Sequence, residues 1–229
     1  MVTAPSRATT LICSSPTSKP SHRTAAIWLD GWILHTQRHG WLVAGAIWGP
    51  GLFMVAWMFG GFFLVGYSPV HDRISELAAV RAPTRVLMTL GFAAYGVGVG
   101  TSAWPLRRVI GKPAAAALGL NATFTLGVML TPLDRSPDID FLHAVFAALA
   151  YLSLAVAGPL ASLAFRRRSL ILAVVSFVVG LVTMVGLGAS LGDTAPGLFQ
   201  RLGLTTTDVW SMAIGLGVVV GRLRRLTVL

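Results

Sequence analysis

Five long stretches of the chain contain no Asp, Glu, Lys or Arg. They are 20 to 26 residues long, which is enough for a helix to cross a hydrocarbon core of about 30 Å. These stretches cover residues 41–66, 86–106, 114–133, 141–165 and 169–192. A sixth, shorter candidate covers residues 205–221 and carries Asp208 near its start. The pattern predicts an all-α polytopic membrane bundle of six transmembrane helices.

The composition excludes an ordinary soluble domain. Hydrophobic residues make up 55% of the chain and charged residues 11%, whereas soluble domains have about a quarter of their residues charged. Most of the surface is therefore expected to face lipid. The net charge of +10 does not indicate a nucleic-acid partner, because the basic residues stand between apolar blocks. We interpret them as topology signals and as attraction to anionic membrane lipids.

The chain divides into four predicted regions. Residues 1–24 hold thirteen Ser, Thr or Pro and no long apolar run, which predicts a disordered basic cytoplasmic tail rather than a signal peptide. Residues 25–40 are amphipathic and predict an interfacial helix lying on the membrane. Residues 41–223 form the predicted six-span membrane domain, and residues 224–229 form a second cytoplasmic tail.

The loop charges predict the orientation. Residues 1–40, two loops and the C-terminal tail carry thirteen basic residues and one acidic residue, whereas loops 67–85, 134–140 and 193–208 carry five basic and seven acidic residues. By the positive-inside rule, both termini are expected in the cytoplasm, with the protein in the cell (plasma) membrane. Trp41, Trp104 and Trp210 fall at predicted span ends, which is typical of aromatic belts.

The first predicted outer segment, residues 67–77, is rich in polar groups. Ser68 followed by Pro69 predicts the start of a helix, with Ser as the N-cap. On that helix His71 and Ser75 would share one face, as would Asp72 and Glu76.

The second outer segment, residues 131–140, contains another Ser-Pro pair. Ser136 and Pro137 predict a helix start, and Asp138 and Asp140 in the first turn suit the positive end of its dipole. His143 follows one turn deeper, where an ionisable group is expected to face the bundle interior rather than lipid.

These residues resemble a known family. The order of a Tyr-Ser-Pro and Ile-Ser-Glu-Leu segment after span one, a Thr-Pro-Leu-Asp at the end of span three and a His opening span four is similar to the bacterial and archaeal six-span membrane family known as domain of unknown function 998. The resemblance covers roughly residues 40–225, and Ala78 stands where the family usually has Gly. It implies a six-helix fold and marks Ser75, Glu76, Asp134 and His143 as family-like polar positions; it implies no reaction.

The favoured hypothesis is a membrane-embedded enzyme that uses acid/base chemistry on a lipid or lipophilic small molecule. Isomerisation, cyclisation and hydrolysis all remain open. No metal and no other cofactor is predicted, because two outer histidines without HExxH spacing do not form a typical zinc site. The candidate catalytic residues are His143, Asp134, Glu76, Asp72 and His71, and the candidate substrate-binding residues are Ser75, Tyr67 and Asp208.

Two alternatives to an enzyme stay open at this stage, and in the first of them the polar groups of the outer segments are structural. The outer carboxylates would then cap helices or pair with arginines, and His143 would fix one helix against another. Asp208 would cap the sixth helix. The protein would in that case be an accessory or structural subunit with a membrane-protein partner in an envelope complex. A small transporter ranks third, because the predicted spans carry no central charge and no paired broken helices.

Overall fold

The computed structural model describes the backbone of residues 22–221 and the side chains of residues 41–221. Its elements are α1 (His22–Phe63), a 3₁₀ helix (Ile74–Ala78), α2 (Arg85–Ile110), α3 (Lys112–Leu130), α4 (Pro137–Phe165), α5 (Leu170–Ala189) and α6 (Pro196–Val219). Trp41–Phe63 of α1 and the whole of α2 to α6 are long and apolar enough to cross a membrane. The prediction of an all-helical bundle with six spans is confirmed.

Helices that follow one another along the chain pack side by side, and glycines allow the close approaches. A Cβ atom at Gly98 of α2 would lie 2.7 Å from the Gly45 carbonyl oxygen and 2.8 Å from Gly49 Cα, both on α1. In lipid, where burial of apolar surface drives association weakly, such close van der Waals packing holds helices together. Helix α6 also packs on α1, where Ser211 Oγ donates to the Ala46 carbonyl at 3.3 Å.

The connections divide between the two ends of the bundle. One end holds Gly111 and the arginine-rich turn at residues 166–168, and the other holds residues 64–84, 131–136 and 190–195. We call the second the carboxylate end, because Asp72, Glu76, Asp134 and Asp193 all belong to it. Helix α4 begins here as predicted: Ser136 is the N-cap, its Oγ accepts the Ile139 N–H at 3.4 Å, and Asp138 and Asp140 lie in the first turn.

The predicted start of the sixth helix at residue 205 is wrong. Helix α6 begins at Pro196, two to three turns earlier. The charge of Arg201 interrupts the apolar pattern, but its side chain is buried and bonded to protein carbonyls, so the helix continues through it. Asp208 therefore lies in the middle of α6 and does not cap it. Trp210 is not part of an aromatic belt either, because it is buried and donates to Ser176 Oγ at 3.1 Å.

The predicted helix beginning at Ser68 is also wrong. Residues 68–72 form turns, and the only helical piece of this segment is the 3₁₀ helix. Asp72 Oδ2 accepts the Ser68 N–H at 2.6 Å, and Arg201 takes the carbonyls of Pro69 and Asp72. These bonds tie the segment to α6 in a turn conformation instead of a local helix.

Two compact units divide the chain, Met1–Arg38 and His39–Leu229. Of the first, the structure describes the helical backbone from His22 onward. The predicted tail at residues 224–229 and residues 1–21 of the other tail lie outside the described residues. The side chains of the predicted interfacial helix, residues 25–40, also lie outside them, so all three remain predictions.

Substitution of Gly98 by Val is expected to lower the free energy of unfolding by about 1–3 kcal/mol, because the new side chain would overlap the α1 backbone. Gly188 is the matched control: it is exposed on α5, and a Cβ there would meet nothing within 4 Å. Thermal unfolding in detergent would measure both variants. Equal stability of Gly98→Val and Gly188→Val would contradict the packing described.

Candidate functional site

A cavity of about 390 Å³ lies inside the bundle near the carboxylate end. Its size falls within the range typical of small-molecule sites. All six long helices except α5 contribute to its wall, together with the 3₁₀ helix and the loops at residues 133 and 190–191. Its polar lining consists of Arg73, Ser75, Glu76, Tyr95, Asn121, Thr125, Asp140, His143, Tyr151, Ser190 and Gln200; most of the remaining lining is Phe, Ala, Leu, Ile and Val.

The exposed residues of the cavity wall indicate where the cavity opens. Among its lining residues, Arg73, Ala144, Ala148 and Leu191 are exposed. Ala144 and Ala148 lie about 10 and 16 Å along α4 from Pro137 at a rise of about 1.5 Å per residue. Because α4 is a membrane-length helix, this stretch of the opening lies alongside a span and not only at a loop.

His143 is buried in the cavity wall and held in one orientation. Its Nδ1 lies 2.6 Å from the carbonyl oxygen of Thr131, the C-cap residue of α3. A carbonyl oxygen only accepts, so Nδ1 carries the proton, and Nε2 of the neutral ring is left with a free lone pair. Nε2 has no hydrogen-bond partner among the described residues. Nε2 is therefore a buried hydrogen-bond acceptor that the protein itself leaves unused.

Two carboxylates share the cavity with His143, and each uses one oxygen to hold the backbone. Glu76 Oε1 accepts the Arg73 N–H at 3.0 Å, and Asp140 Oδ1 accepts the Asp134 N–H at 3.0 Å. The second oxygen of each carboxylate takes no part in these two bonds. Asp134 has a left-handed backbone, with φ of 63°, a conformation that Asp adopts more readily than most residues.

Helix α6 anchors the segment that covers the cavity. Gln200 Oε1 accepts the Ile74 N–H at 2.8 Å, and its Nε2 donates to the Tyr151 hydroxyl. Arg201 Nη1 donates to the Pro69 and Asp72 carbonyls at 2.8 and 2.9 Å. Side chains of α6 therefore fix the first loop and its 3₁₀ helix, because the membrane environment offers these side chains few other partners.

Three of the eight predicted site residues line the cavity: Glu76, Ser75 and His143. The other five do not appear in its wall. The side chains of His71 and Asp134 are exposed on loops, and Asp72 turns back onto the Ser68 N–H. Tyr67 bonds Arg201 and the Arg73 carbonyl, and Asp208 is buried deeper in α6. The predicted acid/base cluster is thus divided between the cavity and the loops.

Sequence reasoning missed several cavity residues. Tyr95, Asn121 and Tyr151 stand inside apolar runs, and Gln200 falls in what was predicted to be a loop. A polar residue within a membrane-length run is itself a signal, because it needs a partner in the bundle interior. Among the described residues, no group of three or more His, Cys, Asp and Glu is placed to hold a metal ion.

Tyr67 connects the cover of the cavity to Arg201. Its hydroxyl donates to the Arg73 carbonyl at 3.1 Å and accepts from Arg201 Nη2. Burial raises the pKa of Tyr67 to about 12, although the neighbouring Arg201 guanidinium acts in the opposite direction. The folded state therefore holds the phenol proton more tightly than the unfolded chain does, and this stabilisation is present below pH 10 and lost as the pH rises towards 12.

Ultraviolet titration of the tyrosines is expected to show this pKa directly. Subtracting the curve of the Tyr67→Phe variant from that of the wild type should leave one phenolate that appears near pH 12. Denatured protein provides the control, in which the same difference should titrate at an ordinary tyrosine pKa of about 10. A native difference curve centred at the denatured value would show that Tyr67 is solvated and does not hold Arg201.

Comparison with known proteins identifies the family but no characterised relative. A family model described as "Protein of unknown function (DUF998)" matches residues 47–217. No curated protein matches the chain, and no solved structure matches it. The matched range contains every residue of the cavity wall. The chain is an integral membrane protein that belongs to the DUF998 family.

Proposed function

We propose that the cavity takes a lipid or lipophilic small molecule from the membrane and that His143 acts on it as a general base. The observation that carries this proposal is that Ala144 and Ala148, two exposed residues of a membrane-length helix, line the cavity, from which we infer an opening beside them. An opening along a span faces acyl chains rather than water, so the molecules that meet it first are lipophilic. The mainly apolar lining suits such a ligand, and Arg73 at the opening suits a polar or anionic head group.

The polar groups in the cavity support acid/base chemistry. The hydrogen bond from Nδ1 to Thr131 leaves Nε2 of His143 as the basic nitrogen, as in sites where a second group orients a catalytic imidazole. Glu76 shares the cavity and is the carboxyl group proposed to deliver a proton of its own to the product, after which the proton taken by His143 passes to Glu76 and both groups are restored. Proton removal and return between two carbons would give isomerisation, and the same pair would serve cyclisation or hydrolysis.

The alternative is an architectural role within a larger membrane complex. It is favoured by a specific observation: His143, Glu76 and Asp140 each bond a backbone group. Those bonds fix the loops of the carboxylate end whether or not a ligand binds. The two functions differ in whether the free Nε2 is needed, and that difference can be tested.

The variant His143→Asn separates the two functions. The Asn amide can donate to the Thr131 carbonyl as Nδ1 does, but it has no basic nitrogen in the place of Nε2. The enzyme hypothesis predicts a stable variant in which the lipophilic extract bound to the purified protein changes from that of the wild type, because unreacted substrate accumulates. Mass spectrometry of the extracts would detect it. Identical extracts from equally stable proteins would reject His143 as the base.

A bulky side chain at the opening of the cavity tests whether the cavity binds a lipophilic molecule. Ala148→Trp is expected to lose most of the copurifying lipophilic molecule, because the indole would fill the mouth of the cavity. Ala213→Trp is the matched control, since Ala213 is also an exposed helix residue but is not part of the cavity wall. Equal amounts of bound molecule in the two variants, by native mass spectrometry, would contradict the proposal.

We also propose that the carboxylate end faces away from the cytoplasm, in a plasma-membrane protein with both termini inside. Arg107, Arg108, Lys112 and the turn at 166–168 lie at the opposite end from Asp72, Glu76, Asp134 and Asp193. Arg201 and Asp208 lie in α6 and not in a loop, so the loops of the carboxylate end have one basic and one acidic residue fewer than predicted. The charge asymmetry between the two ends remains. The positive-inside rule then puts the cavity in the outer leaflet.

Cysteine labelling tests the orientation. In a Cys13→Ser background, Asp193→Cys is expected to react with a membrane-impermeant maleimide on intact cells, because residue 193 is exposed at the proposed outer end. Arg167→Cys, exposed at the opposite end, is the matched variant and should react only after permeabilisation. The reverse pattern would overturn the orientation.

A further inference from the structure

Asp208 lies near the middle of α6 and is completely enclosed. It is 1% exposed, and neither of its carboxyl oxygens has a hydrogen-bond partner among the described residues. An ionised carboxylate without a partner in a low-dielectric interior is strongly destabilising. An ionisable residue within a span is rare and usually has a role in binding or in moving a charge.

The neighbouring phenol is the group that can satisfy this carboxyl once it carries a proton. Tyr95 of α2 lies beside Asp208, and its hydroxyl lies 2.9 Å from Asn121 Oδ1 of α3. Asn121 Nδ2 donates to the Ala150 carbonyl of α4 at 2.9 Å, which assigns Oδ1 as the acceptor. Tyr95 must therefore give its only proton to Asn121, and its oxygen has lone pairs left with which to accept.

Few other charged groups act on Asp208. The described part of α1, Trp41–Phe63, contains no titratable side chain, and neither does α5, Leu170–Ala189. On α2 the titratable residues are Tyr95 and the arginines near the helix ends, and on α6 the other charged side chain is Arg201, two turns away and bonded to the first loop. The protonation of Asp208 is thus linked to Tyr95 and not to an ion pair.

We propose that Asp208 is a proton-binding site, coupled through Tyr95 and Asn121 to the molecule that occupies the cavity. With its proton bound, Asp208 donates to Tyr95 and Tyr95 donates to Asn121, so that every group in the chain is satisfied. When the proton leaves, Tyr95 gives its own proton to water or to a basic group in the cavity and takes that of Asp208. Two protons move, one proton leaves the site in net, and the phenol is regenerated.

The coupling follows from the two positions of the Tyr95 proton. Once Asp208 is ionised, the Tyr95 hydroxyl turns to the carboxylate and releases Asn121 Oδ1. Both Tyr95 and Asn121 line the cavity, so the released amide oxygen becomes available to a donor on a ligand. This coupling rests on the proposed function, whereas the existence of the proton site does not.

Infrared difference spectroscopy of the purified, ligand-free protein tests the proton site. At neutral pH the wild type is expected to show the carbonyl stretch of a protonated, buried carboxyl, and Asp208→Asn is expected to lose that band. Asp193→Asn, an exposed aspartate in the α5–α6 loop, should leave it unchanged. A band that is absent from the wild type, or that survives in folded Asp208→Asn, would overturn the proposal.

Tyr95→Phe tests the link to the cavity and covers the case in which Asp208→Asn fails to fold. The protonated carboxyl would keep its proton but lose its acceptor, so the band should shift to higher frequency without loss of intensity. A band at the wild-type frequency would show that Asp208 does not donate to Tyr95 and would refute the coupling. Neither result depends on whether Ala148→Trp loses a bound lipid.

Discussion

The guanidinium of Arg201 determines how the carboxylate end of this protein is built. It is buried in α6, yet it donates to the carbonyls of Pro69 and Asp72 in the loop between α1 and α2. A buried cation needs such partners, and loop carbonyls near a membrane need donors. The Nη1 atom and the loop carbonyls therefore satisfy one another, whereas Nε of Arg201 has no hydrogen-bond partner among the described residues. These hydrogen bonds hold the loop across the end of the bundle, where it covers the cavity.

Glycines and polar side chains occupy different parts of the bundle. Helices α4 and α5 meet at Gly158 and Gly180, where a Cβ at Gly158 would lie 2.9 Å from the Gly180 nitrogen. Where helices meet at glycines in this way, the backbones leave no space for a ligand. Around the cavity, polar side chains from α2, α3, α4 and α6 meet instead. Among the described residues, the buried side-chain atoms without a hydrogen-bond partner belong to His143, Arg201 and Asp208. The unsatisfied groups thus belong to one region of the protein.

Much of the fold could be predicted because lipid imposes a simple length rule on apolar runs. The Ser136-Pro137 helix start and the burial of His143 also followed from local chemistry. The start of α6 could not be predicted, because Arg201 resembles a loop residue until its partners, more than a hundred residues earlier, are known. The turn at Ser68 was missed for the same reason.

The candidate site was predicted only in part. Glu76, Ser75 and His143 line the cavity, since carboxylates and histidines at span ends stand out in an apolar sequence. Tyr95, Asn121 and Tyr151 did not stand out, because single polar residues within a span are informative only when the facing helix is known. The tertiary pairing of helices, and not the residue types, makes Asp208 a neighbour of Tyr95.

A structure determined in lipid nanodiscs would reveal whether the cavity beside α4 holds a molecule from the membrane. If the cavity is a ligand site, we expect elongated density that enters past Ala148 and ends close to Nε2 of His143. A closed mouth, an empty cavity and a protein group bonded to Nε2 would contradict ligand binding and favour an architectural role for these residues.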